Sequence, residues 1–364
     1  MSADGSNKEN NPHAEASLER AIIAQAQRLG FAACGIVKAE AVDETEQDYF
    51  RRWLAEGRQA GMAYLERNEA VRFDPRELFE GCRSLIVVIL NYYPHERRAA
   101  HLPHIAYHAY GTDYHYVVKS RLEQLLAFVR KASPSAVGRC FCDTAPLLER
   151  YWAVRAGLGW VGRNRLLHYP GVGSYVVLGV LAVDIKLRPT AAYEARDRRD
   201  HSDRVDVKIN ATSPSVAPPL DAAPLDSAEL SSAYAMAHTT ADRSHCGTCR
   251  RCIDACPTGA LAADGSFDAR RCLAQLTFEH KGEMPPLFFE ANHRSLYGCN
   301  ICQDVCPHNH CATPTTIPEF APTEAMITLD AEALRALTPA QFKTHFAHTA
   351  LARGGIARLR RNLR

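Results

Sequence analysis

Apolar residues in the first half of the chain recur with two different periods, which predict alternating helices and strands. Residues 18–31 (LERAIIAQAQRLGF) carry apolar positions at helical spacing, and the ACGIVKA segment that follows at 33–39 is typical of a short strand. A run of apolar and β-branched residues at 84–94, SLIVVILNYYP, ends in proline and predicts a buried strand. Residues 174–185, SYVVLGVLAVDI, predict another strong strand.

Helices are predicted between these strands at 46–67, 116–131 and 147–158. The segment GRCFCDTAP at 138–146 begins like a strand and ends in a turn at its proline. Strands that alternate with helices favour a mixed α/β domain over residues 18–190.

The pattern changes after this domain. Residues 191–244 are rich in Pro, Ala and Ser and have no sustained period, which predicts a disordered insertion or linker. Residues 1–17 are polar and are also expected to be disordered. Residues 245–312 hold most of the cysteines and are interpreted as a second domain. Residues 313–364 are expected to form a helical tail that ends in the basic segment RGGIARLRRNLR.

Composition narrows the class of protein. Of the 364 residues 46% are hydrophobic, enough for a packed core, and a formal net charge of +2 does not mark the whole chain as a nucleic-acid binder. The sequence contains no stretch of about 20 apolar residues, so no membrane-spanning segment is predicted. The polar N-terminus lacks the apolar core of a signal peptide. We therefore expect a soluble cytoplasmic protein.

Cysteine usage points to metal binding. The chain has 13 cysteines, of which eight lie between Cys246 and Cys306. In a reducing compartment such dense, short spacings are typical of metal ligands and not of disulfides.

The first cysteine run, CGTCRRCIDACP at 246–257, has the C-x2-C-x2-C-x3-C-P spacing of bacterial ferredoxins. In that pattern three close thiolates bind one cubane cluster and the fourth binds the other cluster of a pair. A structural zinc site is the alternative, but a zinc ribbon needs two C-x2-C pairs and not this third and fourth cysteine. The run therefore indicates two [4Fe–4S] clusters.

A second run, CNICQDVCP at 299–307, has only three cysteines, so the two runs supply seven of the eight ligands that two clusters need. Cys272 completes the set and Cys311 is left out. One cluster is expected to use Cys246, Cys249, Cys252 and Cys306, and the other Cys256, Cys272, Cys299 and Cys302. Because clusters transfer electrons and rarely select a substrate, we expect a substrate site in the α/β domain.

Several stretches, in this order, resemble the epoxyqueuosine reductase family. They are WLAEGRQAGMAYLERNEAVRFDP at 53–75, AYGTDYH at 109–115, DTAPLLERYWAVRAGLGWVGRN at 143–164, RRCLAQLTFEHKG at 270–282 and YGCNICQDVCPHN at 297–309. The resemblance covers most of residues 18–185 and 245–312.

The resemblance implies both cofactors and reaction. The fold class expected from it is an α/β (α+β) cobalamin-binding domain, then a ferredoxin-like domain with two [4Fe–4S] clusters, then a helical tail. The family removes the epoxide oxygen of epoxyqueuosine at the wobble position of tRNA anticodons and forms queuosine. The related reductive dehalogenases share this cofactor arrangement.

Asp143 matches the family's proposed proton donor. It follows a predicted strand and precedes a predicted helix, a usual place for a catalytic carboxyl. A structural role as a helix cap or Asx-turn residue is the alternative. A working acid at this position is expected to have a raised pKa, which burial against the corrin ring could provide.

The resemblance also places residues near the cofactor. No D-x-H-x-x-G box is present, so no protein histidine is expected to bind the cobalt, and His115 is interpreted as a structural or substrate-side residue. By motif position the expected cobalamin contacts, besides Asp143, are Arg72, Leu167, Leu178, Thr277, Lys281, Ile301 and Cys302. Plain core or surface roles are the alternatives for these side chains.

A tRNA substrate implies phosphate contacts. Arg150, Arg163 and Lys281 are the candidate cations, although single surface cations are weak signals. An external electron donor of the flavodoxin or ferredoxin type is expected, and the protein is expected to be a monomer. The stretch HAYGTDYH at 108–115 departs from the family's usual arginine-rich form.

Two other functions remain open from the sequence. A reductive dehalogenase-like enzyme would act on a small molecule, but the twin-arginine signal that is frequent in such proteins is missing. An electron-transfer module would explain the cysteines but leaves the motifs of the first domain without a role.

Overall fold

The two apolar strands that the sequence predicts as buried lie side by side in the main sheet. The structure, a computed structural model, describes residues 12–190, 243–291 and 294–363. Its strands are β1 Ala33–Lys38, β2 Ser84–Asn91, β3 His104–Ile105, β4 Gly138–Phe141, β5 Trp160–Val161, β6 Leu167–His168, β7 Val176–Val183 and β8 Ser295–Tyr297.

The helices of the first region are α1 Pro12–Arg28, α2 Glu44–Ala55, α3 Glu69–Phe73, α4 Tyr114–Ala132 and α5 Glu149–Arg155. The cysteine region has short helices, α6 Arg243–Cys246, α7 Arg251–Asp254, α8 Leu273–Phe278, α9 Pro286–Glu290 and α10 Ile301–Asp304. The tail consists of α11 Glu324–Thr328, α12 Ala331–Ala336, α13 Pro339–Phe346 and α14 Gly355–Asn362.

The main sheet has the order β1-β2-β7-β4, and every neighbouring pair in it is antiparallel. β2 is apolar on both faces because both faces are covered. Ile86 and Val88 belong to one hydrophobic core, while Leu85 and Val87 belong to the other. β2 is therefore apolar throughout for the reason that applies to strands of parallel sheets, namely burial on both faces, although this sheet is antiparallel.

Different helices cover the two faces. α1 and α4 pack on one face, and α5 packs on the other with Trp152 fully buried. α4 approaches β7 closely at Gly179, where a Cβ atom would lie 2.6 Å from a methyl group of Val118. Only glycine leaves room for the helix at this point of the strand.

The tail packs into the same core as the sheet. Met326, Leu334 and Phe346 are completely buried there. The loop before α4 meets the tail at Gly111, where a Cβ atom would lie 2.3 Å from the carbonyl oxygen of Glu319. The tail therefore helps to hold the loop that leads into α4.

A buried polar network attaches the second cysteine run to the sheet. The Gln303 amide donates to the hydroxyl of Tyr92 at 3.1 Å and to the carbonyl of Ser174 at 2.8 Å. The side-chain oxygen of Asn309 accepts from the Ser174 N–H at 2.7 Å. Tyr92 follows β2 and Ser174 precedes β7, so polar residues within and just after the second cysteine run fix it to the ends of the two central strands.

The sequence predictions are confirmed for the strands at 33–39, 84–94 and 174–185 and for the helix at 116–131. The helix predicted at 46–67 is too long, because α2 ends at Ala55 and Gly57 follows with a φ of 64°. The remaining predictions are the two disordered segments and the lack of a membrane-spanning segment.

Residues 12–17 of the N-terminal segment that was expected to be disordered begin α1 in the structure. Residues 1–11 and 191–242 lie outside the described part of the chain, so the predicted insertion lies there except for residues 243–244, which begin α6. In the part of the chain that the structure describes, no helix is long and apolar enough to cross a membrane.

Phe346→Ala tests the packing of the tail. The substitution leaves a cavity at a fully buried position, so we expect a loss of about 3–5 kcal/mol and a fall of about 5 °C or more in the apparent melting temperature. Phe289→Ala is the matched control, because this side chain is 51% exposed and its loss should change the melting temperature little. Equal shifts for both variants, measured by calorimetry, would show that the tail does not stabilise the core.

Candidate active site

A cavity of about 740 Å³ lies beside the residues that follow β4. Its lining comes from α2, from the segment 62–72, from the turn before α5, from α8 and from the tail residue Arg353. Much of the wall is aromatic, formed by Tyr49, Phe50, Trp53, Tyr64, Phe267 and Phe278. Distant parts of the sequence therefore meet at one apolar hollow that carries a few charged groups, as ligand sites commonly do.

Asp143 lies in the tight turn between β4 and α5 and lines this cavity. Its φ of 58° is in the left-handed region, which residues other than glycine rarely adopt. The Thr144 N–H donates to the Cys142 carbonyl at 2.6 Å, so the turn around Asp143 is very narrow. The alternative role as a helix cap does not hold, because α5 is preceded by Leu148. A strained residue in a cavity is a candidate catalytic group.

Two neighbouring side chains from the start of α4 stabilise the Asp143 carboxylate. The Tyr114 hydroxyl donates to Asp143 Oδ2 at 2.5 Å, and His115 Nε2 lies 3.6 Å from the same oxygen. Burial alone would raise the pKa of Asp143, but the hydrogen bonds from His115 and Tyr114 outweigh burial and lower this pKa to about 2. The described side chains around Asp143 thus act against the raised pKa that a working acid at this position was expected to have.

His115 is held by a carboxylate and an arginine. Its Nδ1 lies 2.6 Å from Asp113 Oδ1, and its Nε2 lies 3.1 Å from a guanidinium nitrogen of Arg353. Arg353 also forms an ion pair with the buried Asp113 at 3.0 Å. Burial would lower the pKa of His115, but the bonds to Asp113 and Asp143 raise it overall. His115 Nε2 thus has a choice of partners, since it can accept from Arg353 or, once protonated, donate to Asp143.

Glu149 is a second carboxyl group behind the Asp143 turn. It is the first residue of α5, lines the cavity, and its Oε1 accepts from the Asp143 N–H at 2.7 Å. Burial, followed by the negative charge of Asp143, raises the pKa of Glu149 to about 8. Two neighbouring carboxyls therefore have pKa values on opposite sides of neutrality.

Residues of the cavity wall also carry buried polar atoms that lack a partner among the described residues. They are Arg72 Nε, both amide atoms of Gln275 and one carboxylate oxygen of Glu46. The Arg72 guanidinium packs 5.3 Å from the centre of the Phe50 ring, and burial lowers its pKa. Unpaired buried polar atoms are costly, so this wall is suited to a ligand that bears amide or anionic oxygens.

The eight predicted cluster ligands form two groups in the structure. Burial and then the thiols of Cys246, Cys306 and Cys249 raise the pKa of Cys252 to about 11. In the same way burial and then Cys299, Cys272, Cys252 and Cys256 raise the pKa of Cys302. All of these neighbour relations except that between Cys252 and Cys302 fall within the predicted sets 246, 249, 252, 306 and 256, 272, 299, 302, which we call the first and second thiol groups.

The two thiol groups face different surroundings. Cys272 of the second group lines the large cavity, whereas Cys246 and Cys249 of the first group line a separate open depression of about 680 Å³. In the described residues no three His, Cys, Asp or Glu side chains lie close enough to share a single metal ion. Cubane ligands need not do so, because each thiolate binds a different iron atom. Cys311 is exposed and belongs to neither group.

Of the predicted cobalamin contacts, the cavity brings together Arg72 and Asp143. The others do not line it within the described structure: Leu167, Leu178, Thr277, Lys281, Ile301 and Cys302. Leu167 is buried in a hydrophobic core, and the Thr277 hydroxyl is buried between the Leu273 carbonyl and the Gly298 N–H. Lys281 is exposed on the loop after α8.

Of the three predicted tRNA contacts, Arg150 lines the cavity and the other two do not. Arg150 lines the cavity next to Arg165, and its guanidinium donates to the Arg165 carbonyl. Arg163 instead donates to the Gly247 carbonyl at 2.8 Å and so braces the first cysteine run. Lys281 lies outside the cavity.

Sequence reasoning missed Arg353, Glu149 and Gln275. Glu149 and Gln275 lie inside the matched motifs, and their position within those motifs was the available signal. Arg353 lies 238 residues from His115 along the chain, and no local pattern marks it.

Comparisons with known proteins agree with this architecture. A family model described as epoxyqueuosine reductase QueG, DUF1730, matches residues 72–144, and a 4Fe-4S double cluster binding domain matches residues 245–309. The epoxyqueuosine reductase of Cellulophaga algicola is 34% identical over 342 residues, which cover 94% of this chain and 95% of that protein.

Solved structures are similar over nearly the whole chain. The epoxyqueuosine reductase of Bacillus subtilis, in a form with its catalytic aspartate loop swung out of the active site, gives a TM-score of 0.74 at 25% identity, covering 96% of this chain and 80% of that one. An epoxyqueuosine reductase with an epoxyqueuosine-modified tyrosine tRNA stem loop gives 0.72 at 25% identity, with the same coverage. The chain belongs to the epoxyqueuosine reductase family.

Proposed function

We propose that this protein reduces epoxyqueuosine in tRNA to queuosine. The reaction adds two electrons and two protons to the epoxide, breaks both of its C–O bonds, forms a C=C bond and releases one water. The observation that carries the proposal is the 34% identity to a named epoxyqueuosine reductase over 94% of this chain, together with a cavity that exposes Asp143. This family membership favours the tRNA-modifying enzyme over the dehalogenase-like enzyme and the electron-transfer module.

The tRNA assignment is supported by the relative that was solved with a modified tRNA stem loop. In this chain Arg150 and Arg165 supply positive charge at the cavity, where an anticodon nucleotide has to enter. Lys281 is exposed on the loop after α8, so it suits a phosphate contact. Arg163 is less suited to a phosphate contact, because its guanidinium donates to the Gly247 carbonyl.

The cavity fits cobalamin, which is a broad ring edged by amide groups. Aromatic walls suit the ring, and the unpaired atoms of Arg72 and Gln275 suit its amide or phosphate oxygens. His115 is the one histidine among the described lining residues, and both of its nitrogens have partners, so it is not available to bind cobalt. Bound cobalamin would supply a strongly reducing cobalt centre for cleavage of a C–O bond.

Protons are supplied by the chain's own residues. Asp143 is the group that would pass a proton to the leaving oxygen, and it is ionised at rest because its pKa is lowered to about 2. It must therefore receive that proton from a neighbour. His115 is the neighbour in reach for this step, because its Nε2 can carry a proton and lies 3.6 Å from Asp143 Oδ2.

Electrons would reach the cavity through the cysteine region. Cys272 places the second thiol group at the cavity wall, and the depression beside Cys246 and Cys249 gives an outside carrier access to the first group. An iron–sulfur or flavin protein of low potential is the class of donor that we propose. A pair of clusters held by these thiols would supply one electron at a time.

Conversion of the modified nucleoside tests the reaction directly. Under anaerobic conditions, protein loaded with iron, sulfide and cobalamin and given a strong reductant should convert epoxyqueuosine tRNA to queuosine tRNA. Mass spectrometry of the digested nucleosides should show the loss of one oxygen. Asp143→Asn should lower the rate by about 100-fold or more, because it removes the acid.

Asp48→Asn is the matched control, since this carboxylate is 70% exposed on α2 and does not line the cavity. It should leave the rate unchanged. No conversion by fully loaded wild-type protein would contradict the tRNA assignment. Full activity of Asp143→Asn would contradict the role of the carboxyl group.

Arg72→Met tests the cobalamin site without relying on turnover. Loss of a buried charged donor should weaken cobalamin binding by about tenfold, which equilibrium dialysis with absorbance detection can measure. Lys281→Met is the control, because Lys281 is exposed and lies outside the cavity lining. An equal affinity for both variants would remove Arg72 from the site.

Cys272→Ala and Cys311→Ala test the division of the thiols. The first variant removes a ligand of the second group, so reconstituted protein should fall from about eight irons toward about four, with a changed electron paramagnetic resonance spectrum. The second variant removes an exposed thiol outside both groups and should keep the full iron content. An unchanged iron content and spectrum in Cys272→Ala would contradict the assignment.

A further inference from the structure

One half-buried carboxyl of the site, Glu149, has no role in the proton path described above. Glu149 lies behind the Asp143 turn, at the first residue of α5. Its only hydrogen bond recorded among the described residues goes to the backbone: Oε1 accepts from the Asp143 N–H at 2.7 Å. Glu149 therefore contacts the peptide group of Asp143 and leaves the Asp143 carboxylate to Tyr114 and His115.

The turn needs such a support. Asp143 has a φ of 58°, a conformation that is strained for a non-glycine residue and persists only when its surroundings enforce it. The turn has a very short internal bond between the Thr144 N–H and the Cys142 carbonyl, but that bond does not involve the Asp143 N–H. Glu149 Oε1 is the acceptor of that N–H in the described structure.

We propose that Glu149 is a positioning residue that latches the Asp143 turn in its cavity-facing conformation, and that it does so as a neutral carboxylic acid. This inference rests on the proposed function, because it concerns the turn that carries the proposed proton carrier. In the solved Bacillus subtilis relative the catalytic aspartate loop is swung out of the active site.

The charges around Glu149 explain why the neutral form is suited to the latch. The groups that face it are Asp143 and Cys142 from the turn, Tyr114 and His115 from α4, and Arg150 from its own helix. Because Asp143 is ionised at rest, an ionised Glu149 would place two negative charges on either side of one strained peptide. Like-charge repulsion then favours opening of the turn.

The sign of the pH dependence follows. Burial and Asp143 raise the pKa of Glu149 to about 8, well above its ordinary value of about 4.3. Its contribution to stability is therefore fully present at acid pH and is lost as the pH rises through about 8. Glu149→Gln removes this loss, because an amide keeps the acceptor oxygen and cannot ionise.

Hydrogen exchange on the loaded protein tests the latch. At pH 7 the peptide that spans residues 142–148 should exchange at least tenfold faster in Glu149→Ala than in wild type, while Glu149→Gln should exchange like wild type. Glu123→Gln, which changes an exposed carboxyl on α4, is the control and should change nothing. Equal exchange in Glu149→Ala and wild type would overturn the latch.

Single-turnover rates between pH 6.5 and 9.5 test the neutral form. The wild-type rate should fall as the pH rises through about 8, Glu149→Gln should lack this fall, and Glu149→Ala should be slow throughout. A fall near pH 8 that persists in Glu149→Gln would assign it to another group and overturn the protonation part of the proposal.

The two readouts separate this inference from the proposed function. Wild-type protein that fails to convert epoxyqueuosine tRNA would sink the proposed reaction, but hydrogen exchange would still decide whether Glu149 closes the turn. Melting temperature gives an independent check of the protonation state. The difference between Glu149→Gln and wild type should grow in favour of the variant from about pH 4 to about pH 8 and then stay constant.

Discussion

The buried hydrogen bonds of Gln303 and Asn309 are the contact on which the arrangement of the site depends. They tie the second cysteine run to the ends of the two central strands, at Tyr92 and Ser174. Since the cavity is built on the same sheet, these bonds also determine how far the thiols lie from it. A buried polar network of this kind specifies one arrangement, because any shift leaves several amide groups without partners.

The same network explains why the second cysteine run is more than a set of ligands. Between its cysteines, Asn300 accepts from the Tyr107 N–H, and Asp304 accepts from the Tyr175 hydroxyl at 2.6 Å. The cysteines point toward the thiol groups while the residues between them bind the first region. One short segment thus performs both tasks, and a substitution at a polar position would disturb the clusters without removing a ligand.

The strands, the longest helices and the two thiol groups could be predicted because their signals are local. The uniform apolar run of β2 marks burial on both faces, and cysteine spacing marks the clusters. The antiparallel order could not be read in this way, since a strand covered on both faces looks alike in either direction. The roles of single cations could not be predicted either. Arg72 lines the cavity, whereas Arg163 donates to the Gly247 carbonyl, and the neighbouring sequence does not distinguish the two residues.

The direction of the Asp143 pKa shift could not be predicted from the sequence for a related reason. Burial was the visible argument, but the hydrogen bonds from Tyr114 and His115 are tertiary contacts that decide the balance. The pKa values of Asp143 and Glu149 shift in opposite directions although both side chains line the same cavity. Asp143 has two side-chain donors that stabilise its negative charge, whereas burial and the charge of Asp143 disfavour ionisation of Glu149.

The position of Arg353 near the end of the sequence affects when the surroundings of His115 can form. This residue pairs with Asp113 and His115, yet it is synthesised 238 residues after His115. During translation the sheet and the cysteine runs emerge long before the side chain that completes the histidine's surroundings. A chain that ends before the tail therefore lacks both the cation beside His115 and the tail side chains that complete the hydrophobic core.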